Sequence, residues 1–120
     1  MLFRSSSVEK DAIAIGIGRR GLVKIPTDNQ FRMDVSALER AISQDLQEGL
    51  RPFCVVATLG TTSTTSVDPV DQIAGVCEKY GLWLHVDGAY AGSAAILPEM
   101  RHMMRGVERA DSFEIGRAHV

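Results

Sequence analysis

Apolar and polar positions along the chain alternate between short unbroken apolar runs and longer stretches with a helical repeat. Phe53-Cys54-Val55-Val56-Ala57-Thr58-Leu59 and Leu82-Trp83-Leu84-His85-Val86 are almost wholly apolar, and each ends at a small or acidic residue. That is the pattern of strands buried on both faces of a parallel sheet. Between them, Asp68-Pro69 opens a stretch from Val70 to Tyr80 in which Ile73, Val76, Cys77 and Tyr80 share one face, and Gly81 supplies a stop. Upstream, Ser36 with Glu39 gives a capping-box signature, and Val35, Leu38, Ala41, Ile42 and Leu46 recur at helical spacing before Gly49. An earlier capping pattern, Ser6 with Glu9, predicts a helix through Ile17 that ends near Gly18 and Gly21. Leu22-Val23-Lys24-Ile25 reads as a short strand stopped by Pro26, and Thr27-Asp28-Asn29 is turn chemistry. Pro98 can begin a short helix through Met103 or Met104 whose Arg101, His102 and Arg105 form a solvated face. Glu108 to Phe113 reads as the approach to another strand.

Strands and helices in this order, with connections long enough for crossovers, predict an α/β fold with a mostly parallel sheet flanked by helices. No internal repeat or domain boundary interrupts it. Three short strands leave sheet edges that a stable domain would have to cover, so the chain reads as part of one larger domain.

The candidate chemistry lies at the strand tips. Asp87 follows the second apolar run directly, at the carboxyl end of its strand, where open α/β sheets bind ligands. An acid there can equally cap a turn or the next helix. Gly88, Ala89, Ala91 and Gly92 follow it, a floor of backbone and methyl groups against which a flat ligand could lie. The other strand runs into Gly60-Thr61-Thr62-Ser63-Thr64-Thr65-Ser66, which suits a ligand loop better than a linker because it sits at a strand tip inside a compact unit. An apolar strand ending in Asp also fits the magnesium-holding strand of a P-loop nucleotidase, but the Gly-rich loop ending in Gly-Lys-Ser/Thr is missing upstream.

Composition narrows the classes. The chain has 120 residues, 45% of them hydrophobic, and a formal net charge of -2, which offers no strong field for nucleic acid or an anionic membrane. Cys54 and Cys77 both lie in apolar segments and read as small buried hydrophobes in a reducing compartment. Without an apolar run long enough for a bilayer or a secretory signal before the first helix, the expected location is cytoplasmic, with no nucleic-acid or membrane partner.

The two ends share a further pattern. With a GTG start, Met1 to Ser5 can be written GTG CTC TTC CGA TCT. Its reverse complement, read one base out of phase, encodes Glu114-Ile115-Gly116-Arg117-Ala118-His119. Such an inverted element is the sequence of a common sequencing-library adapter. Residues 1–5 and 114–120 are therefore expected to be adapter translation that makes few buried contacts, residues 6–113 to be the domain itself, and His119 to be no ligand.

The motifs together resemble a family. Val56-Ala57-Thr58-Leu59-Gly60-Thr61-Thr62, Asp68, Trp83-Leu84-His85-Val86-Asp87, Ala89-Tyr90-Ala91-Gly92-Ser93-Ala94, Pro98-Glu99 and Gly106-Val107-Glu108-Arg109-Ala110-Asp111-Ser112 resemble the pyridoxal-phosphate-dependent group II decarboxylases. Within them the aromatic-L-amino-acid decarboxylase branch is most similar, and the resemblance covers Ser6 to Phe113. It implies part of a fold type I large domain, pyridoxal 5'-phosphate as cofactor, an amino-acid substrate and a homodimer in the full-length form. It also implies roles: Asp87 for the carboxylate that pairs with the pyridine nitrogen, Ala89 for the small residue against the ring, and Thr62 for the threonine beside the cofactor. A carboxylate there raises the pKa of the ring nitrogen and keeps it protonated. His85 is two residues from Asp87 and so on the same face of a regular strand, either as a partner of the site or as a satisfied core residue. Tyr90 either shapes the site or packs.

The sequence also departs from the family pattern. The Asn-Pro-His-Lys motif with the cofactor-binding lysine is expected just after Phe113, where Glu114-Ile115-Gly116 stands, and the ring-stacking histidine is expected where Ser5 stands. Lys10, Lys24 and Lys79 lie outside that motif. Gly88 replaces a more usual alanine, a mild change expected to loosen the floor. The resemblance thus implies decarboxylation of an aromatic L-amino acid by the parent protein. Histidine or glutamate decarboxylation, the aldehyde-forming variant, and a non-catalytic fragment are the alternatives.

Overall fold

The computed structural model describes residues 1–3, 21–60, 66–88 and 97–115. The expected first helix over Ser6 to Ile17 lies outside the described residues, as do Thr61 to Thr65 and Ala89 to Ile96. The described elements are β1 (Leu2–Phe3), β2 (Val23–Lys24), α1 (Val35–Gln47), β3 (Cys54–Thr58), α2 (Val70–Tyr80), β4 (Trp83–Asp87) and β5 (Ser112–Glu114). Two 3-10 helices, Pro98–Met104 and Val107–Arg109, lie between β4 and β5. The strands form one sheet in the order β2-β1-β3-β4-β5, and all of the strand pairings are parallel. The two apolar runs lie side by side, with Val55 opposite Leu84 and Thr58 opposite Asp87.

The helices form for local reasons and then close one face of the sheet. At the start of α1 the Asp34 carboxylate accepts the Ala37 N–H at 3.1 Å, so Asp34, not Ser36, is the cap and Ser36 falls inside the first turn. Ala37, Leu38 and Ile42 are buried, but Leu46, expected on the same face, is 49% exposed because the last turn runs past the packed core. The second helix spans the residues its spacing predicts. Gly81 ends it at φ 68, a left-handed conformation that glycine adopts without steric cost.

Val55, Ala57, Leu59, Leu84 and Val86 join the buried residues of both helices in one apolar cluster. A smaller cluster, Phe3, Cys54 and Val56, occupies the other face. Both cysteines are free, and burial pushes their thiols up, that of Cys77 to about 12, so neither is a poised nucleophile. Among the described residues no helix is long and apolar enough to cross a membrane.

Two expectations are corrected here. Leu2 and Phe3 are 0% and 2% exposed in β1, which sits inside the sheet between β2 and β3, against the few buried contacts expected of residues 1–5. At the other end Glu114 pairs in β5, but it and Ile115 are exposed, as expected. The sheet order leaves a place between β2 and β3, and a Leu-Phe pair supplies one side chain to each face of it. The second correction concerns β4, which is not buried on both faces. Leu84 and Val86 are buried whereas Trp83 is exposed and His85 and Asp87 are half-buried, so burial alternates with the pleat. By contrast β3, at the centre of the sheet, is buried throughout.

Candidate active site

Parallel register carries side chains of matching positions to the same face, so the half-open face of β4 continues into its neighbours. Thr58 lies opposite Asp87 on one side, and Ser112 and Glu114 lie opposite His85 and Asp87 on the other. The face is thus apolar toward Phe3 and Val56 and polar from Thr58 through Asp87 to Glu114.

Ser112 organises one part of it. Its Oγ stands 2.9 Å from Trp83 Nε1 and 2.7 Å from His85 Nδ1. An indole only donates, so the serine oxygen accepts from Trp83 and has its own proton to give to His85 Nδ1. In a neutral imidazole this places the remaining proton on Nε2, which faces the Glu114 carboxylate at 4.0 Å. His85 is therefore a half-exposed member of a polar chain on the site face, rather than a residue satisfied inside the core. The neighbouring Asp111 fixes the strand edge: its carboxylate accepts the Leu84 N–H at 2.8 Å, and its N–H donates to the Leu84 carbonyl at 2.8 Å.

The end of β3 is held by Asp68, which the sequence showed as a helix lead-in and a motif residue without a role. Asp68 is 2% exposed, and its carboxylate accepts the Thr58 N–H and the Met33 N–H, each at 2.8 Å. Its own N–H donates to the Thr58 carbonyl at 2.9 Å, next to an antiparallel bridge between Leu59 and Val67. Burying a carboxylate is costly unless hydrogen bonds satisfy it, and backbone donors to an anion are the stronger kind. One residue on, the Leu59 N–H donates to the Asp87 carbonyl at 2.9 Å. Asp68 left a faint signal in the sequence, a carboxylate between Val67 and Pro69, but only the fold reveals which amides it meets.

Gly88 is also more than a loosened floor. A Cβ there would stand 2.7 Å from the Phe113 ring and 3.0 Å from the Glu114 carbonyl, which already accepts the Gly88 N–H at 2.7 Å. Glycine lets β5 close on the turn after Asp87, and an alanine would have to push Phe113 aside. The 3-10 turn that leads into β5 is held against α2 by Arg109, which bridges Asp71 at 2.9 Å and Glu78 at 3.0 Å. Gly106, at φ 89, makes that approach feasible, since a Cβ there would stand 2.6 Å from the Asp71 backbone.

The structure therefore places Asp87 and His85 on one face at the carboxyl end of the sheet. Thr62 and Ala89, and Tyr90 with them, lie outside the described residues. The residues in view fit a flat heterocycle with a basic nitrogen. Asp87 supplies an anion at the strand tip, and the Thr58 hydroxyl beside it is buried and makes no hydrogen bond among the described residues. Among the described residues no cluster of His, Cys, Asp and Glu suits a metal ion.

Comparison with known proteins supplies the context. Residues 4–118 match the model of the pyridoxal-dependent decarboxylase conserved domain. Over 108 residues, 90% of this chain, the sequence is 55% identical to the aromatic-L-amino-acid decarboxylase of Bos taurus and 50% identical to that of Drosophila lebanonensis. Those matches cover 22% and 26% of the relatives, so the chain spans about a quarter of their length or less. Among solved structures, mouse CSAD superposes with a TM-score of 0.88 at 41% identity, covering 93% of this chain and 24% of that one. The Oryza sativa TDC with PLP and tryptamine gives 0.87 at 40%, covering 93% and 24%. The Rhodiola rosea 4-hydroxyphenylacetaldehyde synthase gives 0.88 at 41%, covering 94% and 26%.

Proposed function

The chain belongs to the pyridoxal-dependent decarboxylase family, and from that premise we propose that its full-length protein removes carbon dioxide from an aromatic L-amino acid. The observation that carries this reading is Asp87 at the tip of β4, on the half-open face, beside the buried Thr58 hydroxyl. Identity of 55% to a relative named for that activity supports the substrate class.

When bound, pyridoxal 5'-phosphate supplies an electron sink for the pair left behind by the departing carboxylate. The protein's part is binding and electrostatics. Asp87 would hold the pyridine nitrogen and keep a proton on it, because a carboxylate within hydrogen-bond reach favours the charged form of its partner. By the family resemblance, Ala89 would be the small residue against the ring and Thr62 the threonine beside it. His85, oriented through Nδ1 by Ser112, lines the same face. The full-length protein acts as a homodimer in this reading, as the family resemblance implies, with the cytoplasm as its expected location.

Steady-state carbon dioxide release by the full-length protein, across L-tryptophan, L-tyrosine, L-histidine and L-glutamate, tests the substrate class. Release from the aromatic acids is expected. Release confined to L-histidine or L-glutamate would contradict it. The likeness to 4-hydroxyphenylacetaldehyde synthase favours a second reading, in which the product is an aldehyde. Product analysis separates the two, since simple decarboxylation leaves the amine.

A further inference from the structure

We propose that Asp68 is a positioning residue for Asp87, acting through the end of β3. The inference rests on the functional reading above, which gives Asp87 its task, and it is drawn wholly from described residues.

The path consists of hydrogen bonds already in place. Asp68 Oδ1 takes the Met33 N–H, next to the Asp34 cap of α1, and Oδ2 takes the Thr58 N–H, the last of β3. The Asp68 N–H returns to the Thr58 carbonyl, so Thr58 is gripped at both its backbone groups. The next amide, Leu59 N–H, holds the Asp87 carbonyl at 2.9 Å. A buried carboxylate thus fixes the peptide that fixes the backbone of Asp87. Groups that meet a cofactor must be held to within about 0.5 Å of their working position, and neighbouring hydrogen bonds do the holding.

Asn at position 68 keeps the shape but not the chemistry. Its amide has one oxygen, so one of the two backbone donors would face an N–H instead of an acceptor. A network with one unsatisfied member slackens at the point of failure. Since Leu59 is covalently next to Thr58, the amide that holds the Asp87 carbonyl would be less firmly placed.

The test uses the full-length protein, with Asp68→Asn, Asp87→Ala, the double variant, and Ile42→Val as a stability control on the helix-covered face. Pyridoxal 5'-phosphate affinity is read by absorbance titration, and kcat and KM by carbon dioxide release. Asp68→Asn should weaken cofactor binding by about tenfold, as expected for losing one charge-assisted hydrogen bond, and lower kcat more than KM. Ile42→Val should leave both unchanged. In the Asp87→Ala background the Asp68→Asn change should add little, because residues that act as a unit are not additive.

Equal cofactor affinity in Asp68→Asn and wild type, or a full additive loss in the double variant, overturns the inference. A wild type that binds the cofactor but turns over no amino acid overturns the functional reading instead. Hydrogen exchange on the wild type adds a measurement that needs no variant. The Thr58 and Leu59 amides should exchange as slowly as those in the middle of β3, and fast exchange at both overturns the inference.

Discussion

The two faces of the sheet are built from the same strands and do opposite things. Taking alternate residues, β3 and β4 give Val55, Ala57, Leu84 and Val86 to one face, where α1 and α2 cover them and exposure is at most 1%. The intervening residues Trp83, His85 and Asp87, with Ser112 and Glu114 from β5, give the other face its polar groups. Parity along the strand therefore separates packing from chemistry: a period of two sends neighbours in sequence to opposite environments. A substitution should reveal its face by what it damages. On the helix-covered face it should lower stability and spare the site, and on the other it should do the reverse.

The largest effect is expected from Leu84→Ala, which removes a wholly buried side chain from the apolar cluster. Such truncations cost about 2–5 kcal/mol, so the melting temperature of the full-length protein should fall steeply while the folded fraction keeps its cofactor affinity. Asp87→Ala, three residues further along the same strand, should behave the other way. The chain should melt near the wild-type temperature, with kcat reduced on the order of 100- to 1,000-fold, as when one preorganised electrostatic partner is deleted, and KM changed far less. Ser112→Ala should cost less than either. It removes hydrogen bonds to Trp83 and His85, each worth roughly 0.5–1.5 kcal/mol, and frees the imidazole to turn, so its effect should appear as a modest fall in kcat.

The smallest effect at neutral pH belongs to Cys77, on the helix-covered face. Burial raises its thiol from 9.0 to about 12, so the folded chain keeps the proton where the unfolded chain releases it. The contribution to stability is fully present below pH 9.0 and is lost as pH rises from there toward about 12. Denaturant titrations of Cys77→Ala across that range should show a shallower alkaline decline than the wild type. An identical decline would contradict the assignment.

Much of the helix-covered face was legible in the sequence, because it depends on periodicity. The run from Val70 to Tyr80, the stop at Gly81 and the pairing of two apolar strands all follow from patterns that local sequence carries. Leu2–Phe3 was not legible as a strand, since two residues have no period and their place depends on the gap between β2 and β3. The polar face was legible only in part. Asp87 announced itself by ending an apolar run, and His85 by lying two residues before it. The Asp68 grip on the Thr58 amide and the Ser112 link to His85 join positions 10 and 27 residues apart, and no local signal encodes which amide or ring a side chain will meet. Gly88 was misread for the same reason, since its tight neighbour Phe113 arrives from β5.

The central claim is that the carboxylate at the tip of β4 keeps a proton on the cofactor's ring nitrogen. The most direct test is nitrogen-15 NMR of the full-length protein loaded with pyridoxal 5'-phosphate labelled at that nitrogen, in the wild type and in Asp87→Asn. The account predicts a protonated ring nitrogen in the wild type and an unprotonated one in the variant at neutral pH. An unprotonated nitrogen in the wild type, or the same protonated signal in both, would contradict it.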